Sequence, residues 1–381
     1  MTSWRHSRQL PGVKCAGPRS VRRACVIIPV RNEAETIAAT LDALAMQQGV
    51  DPGAFEIIVL ANNCVDDSVE RVNAARRRHP HLTLDVIECD FPEENANVGA
   101  ARKLLMDEAA RRLPSGGIIA STDGDTVVDA HWLAATFQEF SDGADVVGGR
   151  ILARSPSAAG ADLELRRIHL TDTMYRHLIT AVEDVIDPDP ADPWPRHFQH
   201  FGASLAITRD AYLGLGGLPR VPHLEDMALY DAARRADARI RHSPRVRAVT
   251  SARLGGRVGM GLSTQLGEWQ ALAKAGAWPI VESADFVIAR IRDRRRLREI
   301  WSNAGDRMDE MTFGCLLERE HTAFCAAAAR LEPLDDAVAN LRQRLAPLHA
   351  VSRAAPISAA LEDIEPVRFR PLTAQMEERS A

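Results

Sequence analysis

Gly117-Ile-Ile-Ala-Ser-Thr-Asp-Gly-Asp-Thr126 is a short apolar run that ends in two carboxylates separated by one glycine. Four apolar or small residues in a row suit a buried strand, and the acids at its end place two negative charges at one rim. Whether they form a ligand site or a solvated turn depends on the neighbouring segments. Upstream, Ala24-Cys-Val-Ile-Ile-Pro-Val30 reads as a β-branched strand, followed by Arg31-Asn-Glu33 and then Ile37, Leu41, Leu44 and Ala45 at helical spacing. Phe55-Glu-Ile-Ile-Val-Leu60 is a second strand, leading into Ala61-Asn-Asn-Cys-Val-Asp-Asp-Ser68 and a helix that closes on Arg76-Arg77-Arg78 before Pro80. A third apolar stretch spans Leu82 to Cys89, and a helix with Ala101, Leu105 and Ala109 on one face follows a polar loop.

Strands alternating with helices at this spacing require crossover connections. They predict an α/β fold with a mainly parallel central sheet covered by helices. Such sheets bind ligands beyond the carboxyl ends of their strands. The polar residues there are Arg31-Asn32-Glu33, Asn62-Asn63 and Asp123-Gly124-Asp125.

Downstream, Asp129 reads as the N-cap of a helix. Asp145 to Arg150 reads as a strand and roughly 159–183 as a helix, while the prolines of Asp187-Pro-Asp-Pro-Ala-Asp-Pro-Trp-Pro195 exclude regular structure. Phe201-Gly-Ala-Ser-Leu-Ala-Ile207 returns to the core, a helix starts near Glu225-Asp226, and an arginine-rich segment runs from Arg239 to Arg257. Beyond about 260 the pattern is mostly helical, with Phe286, Val287, Ile291, Leu297 and Ile300 as one apolar set. The expected organisation is a flexible basic tail over 1–23, an α/β domain over 24–260 and a helical extension over 261–381.

A formal net charge of -5 over 381 residues argues against a nucleic-acid binder, which carries a basic excess. The six cysteines form no C-x-x-C pair, so neither a zinc site nor a disulfide framework is expected. No apolar stretch reaches the roughly 18 residues that span a bilayer. The first 23 residues hold six Arg/Lys and no acid, with no apolar run after them, which is not a secretory signal. The expected place of work is the cytoplasm, with at most peripheral contact with a membrane.

Asp123 and Asp125 suit a hard divalent cation such as Mg²⁺ or Mn²⁺, which takes a few carboxylate oxygens and completes its shell with water and phosphate. The bland alternative is a capped turn. Glu225-Asp226 stands where acids favour the first turn of a helix through the macrodipole, which alone would explain it. Asp66 or Asp67 is a candidate helix cap. Gly99-Ala-Ala-Arg-Lys103 opens a helix with small residues that admit either a phosphate or close packing.

In this order, Val26-Ile-Ile-Pro-Val-Arg-Asn-Glu33, Leu60-Ala-Asn-Asn-Cys-Val-Asp66, Asn97-Val-Gly-Ala-Ala-Arg102, Asp123-Gly-Asp125, Gly202-Ala-Ser-Leu-Ala-Ile207, Gly216-Gly217 and Glu225-Asp226 make the chain resemble a family-2 glycosyltransferase of the GT-A fold. The resemblance covers roughly 24–260 and implies a non-processive, inverting enzyme. Its donor would be a UDP- or GDP-sugar and its acceptor a sugar, lipid or small molecule. It implies that Pro29, Arg31 and Glu33 line the nucleotide pocket, that Asn62 faces the base and that Arg102 lies near the nucleotide. Asp123 would hold the ribose, Asp125 the divalent cation, and Asp226 would be the general base; Arg253 and Arg257 would support the diphosphate.

Three departures bear on this. Asn62 stands where many relatives have an aspartate, which leaves uridine no longer favoured over guanosine. Gln265-Leu-Gly-Glu-Trp269 replaces the processive Q-x-x-R-W. No confident counterpart exists for a downstream metal-binding histidine, His242 and His223 being the candidates. Trp194 either stacks on a sugar or anchors its loop, and anchoring is the expectation. Two rivals are a sugar-phosphate nucleotidyltransferase, disfavoured because no glycine-rich, lysine-containing loop follows the first strand, and a non-catalytic scaffold that binds nucleotide sugars.

Overall fold

The computed structural model describes residues 24–92, 96–154, 163–221, 223–253, 261–304 and 331–352. Strand β1 (Ala24–Val30) is buried along its whole length and lies between two parallel neighbours, β2 (Phe55–Asn62) and β4 (Ile118–Ser121). Beyond β2 lies β3 (Thr83–Cys89), also parallel. The crossovers are α1 (Ile37–Ala45), α2 (Ser68–Arg78) and α3 (Val98–Arg112). The chain thus winds outward from β1 to β3, then returns through α3 to lay β4 on the other side of β1. The crevice between the carboxyl ends of β1 and β4 is the point where strand order reverses, the place in such sheets where ligands enter.

The remaining strands are β5 (Thr126–Val128), β6 (Val146–Arg154), β7 (Leu205–Thr208) and β8 (Ile240–Ser251). The eight-stranded sheet runs β3-β2-β1-β4-β7-β6-β8-β5, with β7 antiparallel to both β4 and β6, β8 parallel to β6, and β5 antiparallel to β8. The sheet is parallel where the first half of the chain builds it and mixed beyond β4. The expected α/β architecture holds. The arginine-rich stretch from Arg239 proves to be strand β8, and β5 is a further strand that the sequence pattern did not reveal.

Successive residues of β1 point to opposite faces, so the sheet carries two cores. Val26 and Ile28 join Leu41 and Leu44 of α1, Val72 of α2, and Trp132 and Phe140 of α4 (Trp132–Ser141). Cys25 and Ile27 join Leu105 and Met106 of α3, Tyr212 of α6 (Arg209–Gly214) and Leu229 of α7 (Glu225–Arg235). Each such fully buried aliphatic side chain contributes about 1.5–3 kcal/mol, which fixes the strand ends from both sides.

A third cluster joins α5 (Leu163–Ile186) to α9 (Ala284–Ala304) and α10 (Leu334–Ser352) through Tyr175, Leu178, Val182, Val287, Ile291 and Leu341. Helix α8 (Leu262–Lys274) joins α5 through Ile168, Leu266 and Trp269. The mostly helical C-terminal part is present, with one small antiparallel pair, β9 (Ile280–Glu282) and β10 (Leu331–Pro333). Trp194 packs against the α5–α9–α10 cluster, so it anchors its loop. Among the described residues no helix is long and apolar enough to cross a membrane.

Candidate active site

The end of β1 turns sharply at Asn32, whose backbone is left-handed (φ 56°), a conformation asparagine tolerates better than most residues. The turn drives Glu33 into the crevice, where it is buried and its N–H donates to Ser68 Oγ at 2.7 Å. Beside it, Thr122 N–H donates to the Ile27 carbonyl, and the Gly124 carbonyl accepts from Thr40 Oγ1 at 3.1 Å. A side chain at Gly124 would press on Glu33 and Val30, so glycine lets the two strand-end loops touch. Glu33, Asp123 and Asp125 therefore share one rim.

Asp125 accepts from Thr250 Oγ1 of β8 at 3.3 Å and lies 3.3 Å from Arg253 Nη2. Arg253 also grips Glu33 with both arms, Nη1 to Oε2 at 2.8 Å and Nη2 to Oε1 at 2.5 Å. Burial and the neighbouring charge of Asp123 push the Asp125 carboxyl up to about 6 despite Arg253, so this rim is short of positive charge.

Arg102 lies beneath the rim, 3% exposed. Its Nε donates to Glu225 Oε1 at 2.9 Å, Nη2 to Asp123 Oδ1 at 3.0 Å, and Nη1 to both Ser121 Oγ and the Gly202 carbonyl, the latter at 3.2 Å. Burial alone would favour loss of its proton, but the carboxylates of Asp123, Glu225 and Asp226 more than offset that and hold the guanidinium charged. Gly202 also donates its N–H to Asp226 Oδ2 at 2.9 Å, and a Cβ there would collide with the Arg102 guanidinium. Asp226 Oδ1 accepts from Met227 N–H at 2.8 Å. Burial, with the charge of Glu225 added, raises the Asp226 carboxyl above the ordinary aspartate value, opposed by Arg102 and by the two N–H donors.

Residues far apart along the chain, 123 and 226, thus meet in one network: Asp123 bonds Arg102, Arg102 bonds Gly202, and Gly202 bonds Asp226, while Asp125 pairs separately with Thr250 and Arg253. Glu225 and Asp226 are divided by it, one buried as a partner of Arg102, the other half-buried with a lone pair left on each oxygen. Arg102 commits its donors to protein acceptors and faces the interior, next to Asp123. β1 continues to Val30, and Pro29 is buried within it. Arg31 extends to the Ala96 carbonyl at 2.7 Å and pins the loop before α3. Asn62 is 3% exposed at the end of β2, and its Nδ2 has no hydrogen-bond partner among the described residues, an unusual state for a buried amide. Arg257 lies outside the described residues.

Other expectations resolve locally. Asp66, not Asp67, serves the start of α2, its Oδ1 accepting from Ser68 N–H at 3.0 Å. Asp129 makes a turn onto His131 N–H before α4 instead of capping it directly. Gly99 packs against the Val221 carbonyl and Glu225, so its small size serves helix packing. His242 is not a free metal ligand: its Nδ1 lies 2.7 Å from Asp192 Oδ2, its Nε2 lies 3.4 Å from His200 Nδ1, and it is buried, while His223 is exposed. Among the described residues, no group of three or more His, Cys, Asp or Glu is arranged to hold a metal by protein ligands alone. Sequence reasoning missed Ser121, Thr250 and the Asp192–His242–His200 chain. Thr250 sits in the unrecognised strand β8, and the histidines carry no distinctive spacing.

The family described as glycosyl transferase family 2 matches residues 25–186. A curated relative, glycosyltransferase AglE of Haloferax volcanii, is 31% identical over 137 residues, 36% of this chain, and the chain spans 41% of that relative's length. Among solved structures, a mannosyltransferase from Pyrobaculum calidifontis in complex with GDP-Man and Mn²⁺ is similar at a TM-score of 0.46 and 16% identity, over 94% of this chain and 84% of that one. S. aureus TarS 1-349 in complex with UDP-GlcNAc is similar at a TM-score of 0.44 and 17% identity, over 71% of this chain and 72% of that one. That family match thus covers the part of the chain that carries β1 to β6 and α5.

Proposed function

We propose that this chain transfers a sugar from a nucleotide diphosphate sugar to an acceptor hydroxyl with inversion, using Asp226 as general base. The observation that carries the reading is the path Asp123–Arg102–Gly202–Asp226, which ties the acidic rim at the strand-order reversal to a second carboxylate with lone pairs to spare. Residues 24–260 are the transferase unit in this reading, 261–381 its helical extension, and the loop Asp187 to His200 reads the acceptor.

The rim fits a hard cation: Glu33, Asp123 and Asp125 supply oxygen donors, and burial, with the charge of Asp123 added, holds the Asp125 carboxyl up. An ion there would draw its remaining ligands from phosphate and water, which accords with the lack of an all-protein cage among the described residues. Asp125 would hold Mg²⁺ or Mn²⁺, which when bound supplies positive charge against the departing diphosphate. Asp123 takes the ribose hydroxyls with the carboxylate oxygen that Arg102 leaves open. Arg31 and Glu33 border the nucleotide, and Arg253 and Arg257 support the diphosphate. A carbonyl on the edge of uracil or guanine would satisfy the unpartnered Nδ2 of Asn62.

At the other end of the network, the acceptor hydroxyl attacks the anomeric carbon and gives its proton to Asp226 as the bond to the diphosphate oxygen breaks. The N–H groups of Gly202 and Met227 fix the orientation of that carboxylate. Its raised affinity for protons suits a base that accepts late in the transition state. Asp226→Asn should keep nucleotide affinity while lowering transfer, or hydrolysis of the donor, by about 10²–10⁴-fold. Near-normal turnover by that variant would refute the assignment.

A further inference from the structure

Arg253 stands where the rim asks for a cation. Its Nη2 spans two carboxylates from different strand ends, Glu33 Oε1 at 2.5 Å and Asp125 Oδ2 at 3.3 Å, while Nη1 holds Glu33 Oε2 at 2.8 Å. It is about one-third exposed (30% by side chain), so its head can leave toward solvent or toward a ligand without crossing the core. Arg102, the other guanidinium at the site, has no such freedom, being 4% exposed by side chain and bonded on every side.

We propose that Arg253 is the resident counter-ion of the cation site: it occupies Asp125 in the nucleotide-free chain and yields it to a divalent ion when a nucleotide diphosphate arrives to receive the guanidinium. The inference rests on reading Asp125 as the cation ligand. A divalent ion bonded to a carboxylate oxygen and a guanidinium 3.3 Å from that same oxygen repel one another, so the metal alone must displace Arg253. A diphosphate removes that conflict, because its oxygens match the planar fork and accept two parallel N–H bonds. Metal and nucleotide then favour each other's binding, and by linkage the favour is equal in both directions. An arginine that only touched phosphate would leave the affinity for metal alone unchanged. One that only braced the two loops would weaken metal binding when removed.

Calorimetric titration of the full chain with Mn²⁺, alone and with saturating UDP or GDP, separates these cases. Arg253→Met should bind Mn²⁺ alone about five- to tenfold more tightly than the wild type, and the enhancement of Mn²⁺ affinity by nucleotide should shrink by about tenfold. Arg253→Lys keeps a charge at the site and should bind Mn²⁺ alone within about twofold of the wild type. A thermal melt of each variant confirms that it is folded, and if Arg253→Met is not, Arg253→Gln serves in its place, since it also removes the charge and should also tighten Mn²⁺ binding alone. Mn²⁺ affinity that stays the same or falls in folded Arg253→Met overturns the proposal while leaving the cation site intact. Wild-type protein that binds no Mn²⁺ under any condition overturns the reading of Asp125 as well.

Discussion

Two polar clusters, one joined to the chain at Gly202 and the other at His200, treat their carboxylates in opposite ways. At the rim, burial and mutual repulsion push Asp125 up to about 6 and raise Asp226 too. In the cluster behind the loop, burial would also raise Asp192, but contacts from His242 and Arg196 outweigh it and bring the carboxyl down to about 2. Asp192 accepts from Arg241 Nη1 at 3.0 Å and from His242 N–H at 2.9 Å, and lies 2.7 Å from His242 Nδ1; His200 continues the chain and stacks on Tyr230 with centroids 3.7 Å apart. In one cluster the carboxylate is matched by its cationic and N–H partners, and in the other the half-buried acids keep an excess of negative charge. Burial of acids by itself does not mark a site; uncompensated charge at an opening does.

The largest effect is expected at Arg102, which pairs with both Asp123 and Glu225. Arg102→Met should cost about 3–5 kcal/mol of stability, since it leaves Glu225 and Asp123 without their buried partner. Urea unfolding measures it, and a loss below about 1 kcal/mol would mean that the network is dispensable. A smaller effect sharpens the contrast. Asp125 takes up its proton in the folded chain near pH 6 against an ordinary 3.8, so its contribution to stability grows as pH falls through 6 and is lost on the way back up. His200 behaves oppositely. Burial first, with the charges of His242 and Arg234, lowers its value to about 3 from 6.5, so its contribution is present above 6.5 and is lost as pH falls toward 3. Between pH 6.5 and 5 each effect is about 1.5 kcal/mol, and the two largely offset. Asp125→Asn should therefore lose about 1–2 kcal/mol more than the wild type over that interval in chemical melts, and parallel pH profiles would break the contrast.

Much of the fold was legible because β1, β2 and β4 are continuous apolar runs that end in polar residues, and the helices between them keep a 3.6-residue period. Strand β8 was hidden by its arginines. Ile240, His242, Val246, Ala248 and Thr250 face inward, but the arginines that alternate with several of them made the segment read as a basic loop. Strand β5 is too short to carry a period. At the candidate site, residue type and order singled out Asp123, Asp125 and Asp226, because acids after strands and at a helix start are visible as text. The division of labour between Glu225 and Asp226 was not, since adjacent acids look alike until one of them meets Arg102. Nor could text reveal that Arg102 faces inward, a matter of which side of α3 packs on Gly202. Trp194 followed its expected role because the helices that receive it are themselves apolar on one face.

The central claim is that the acids at 123 and 125 bind a nucleotide diphosphate through a divalent cation. Titration of UDP and GDP into the wild type and into Asp125→Ala, each with Mn²⁺ and with a chelator, tests it most directly. The account predicts that one nucleotide binds the wild type only with Mn²⁺ and that Asp125→Ala weakens this by about 100-fold or more, toward the chelated value. Equal nucleotide affinity in all four conditions would contradict it.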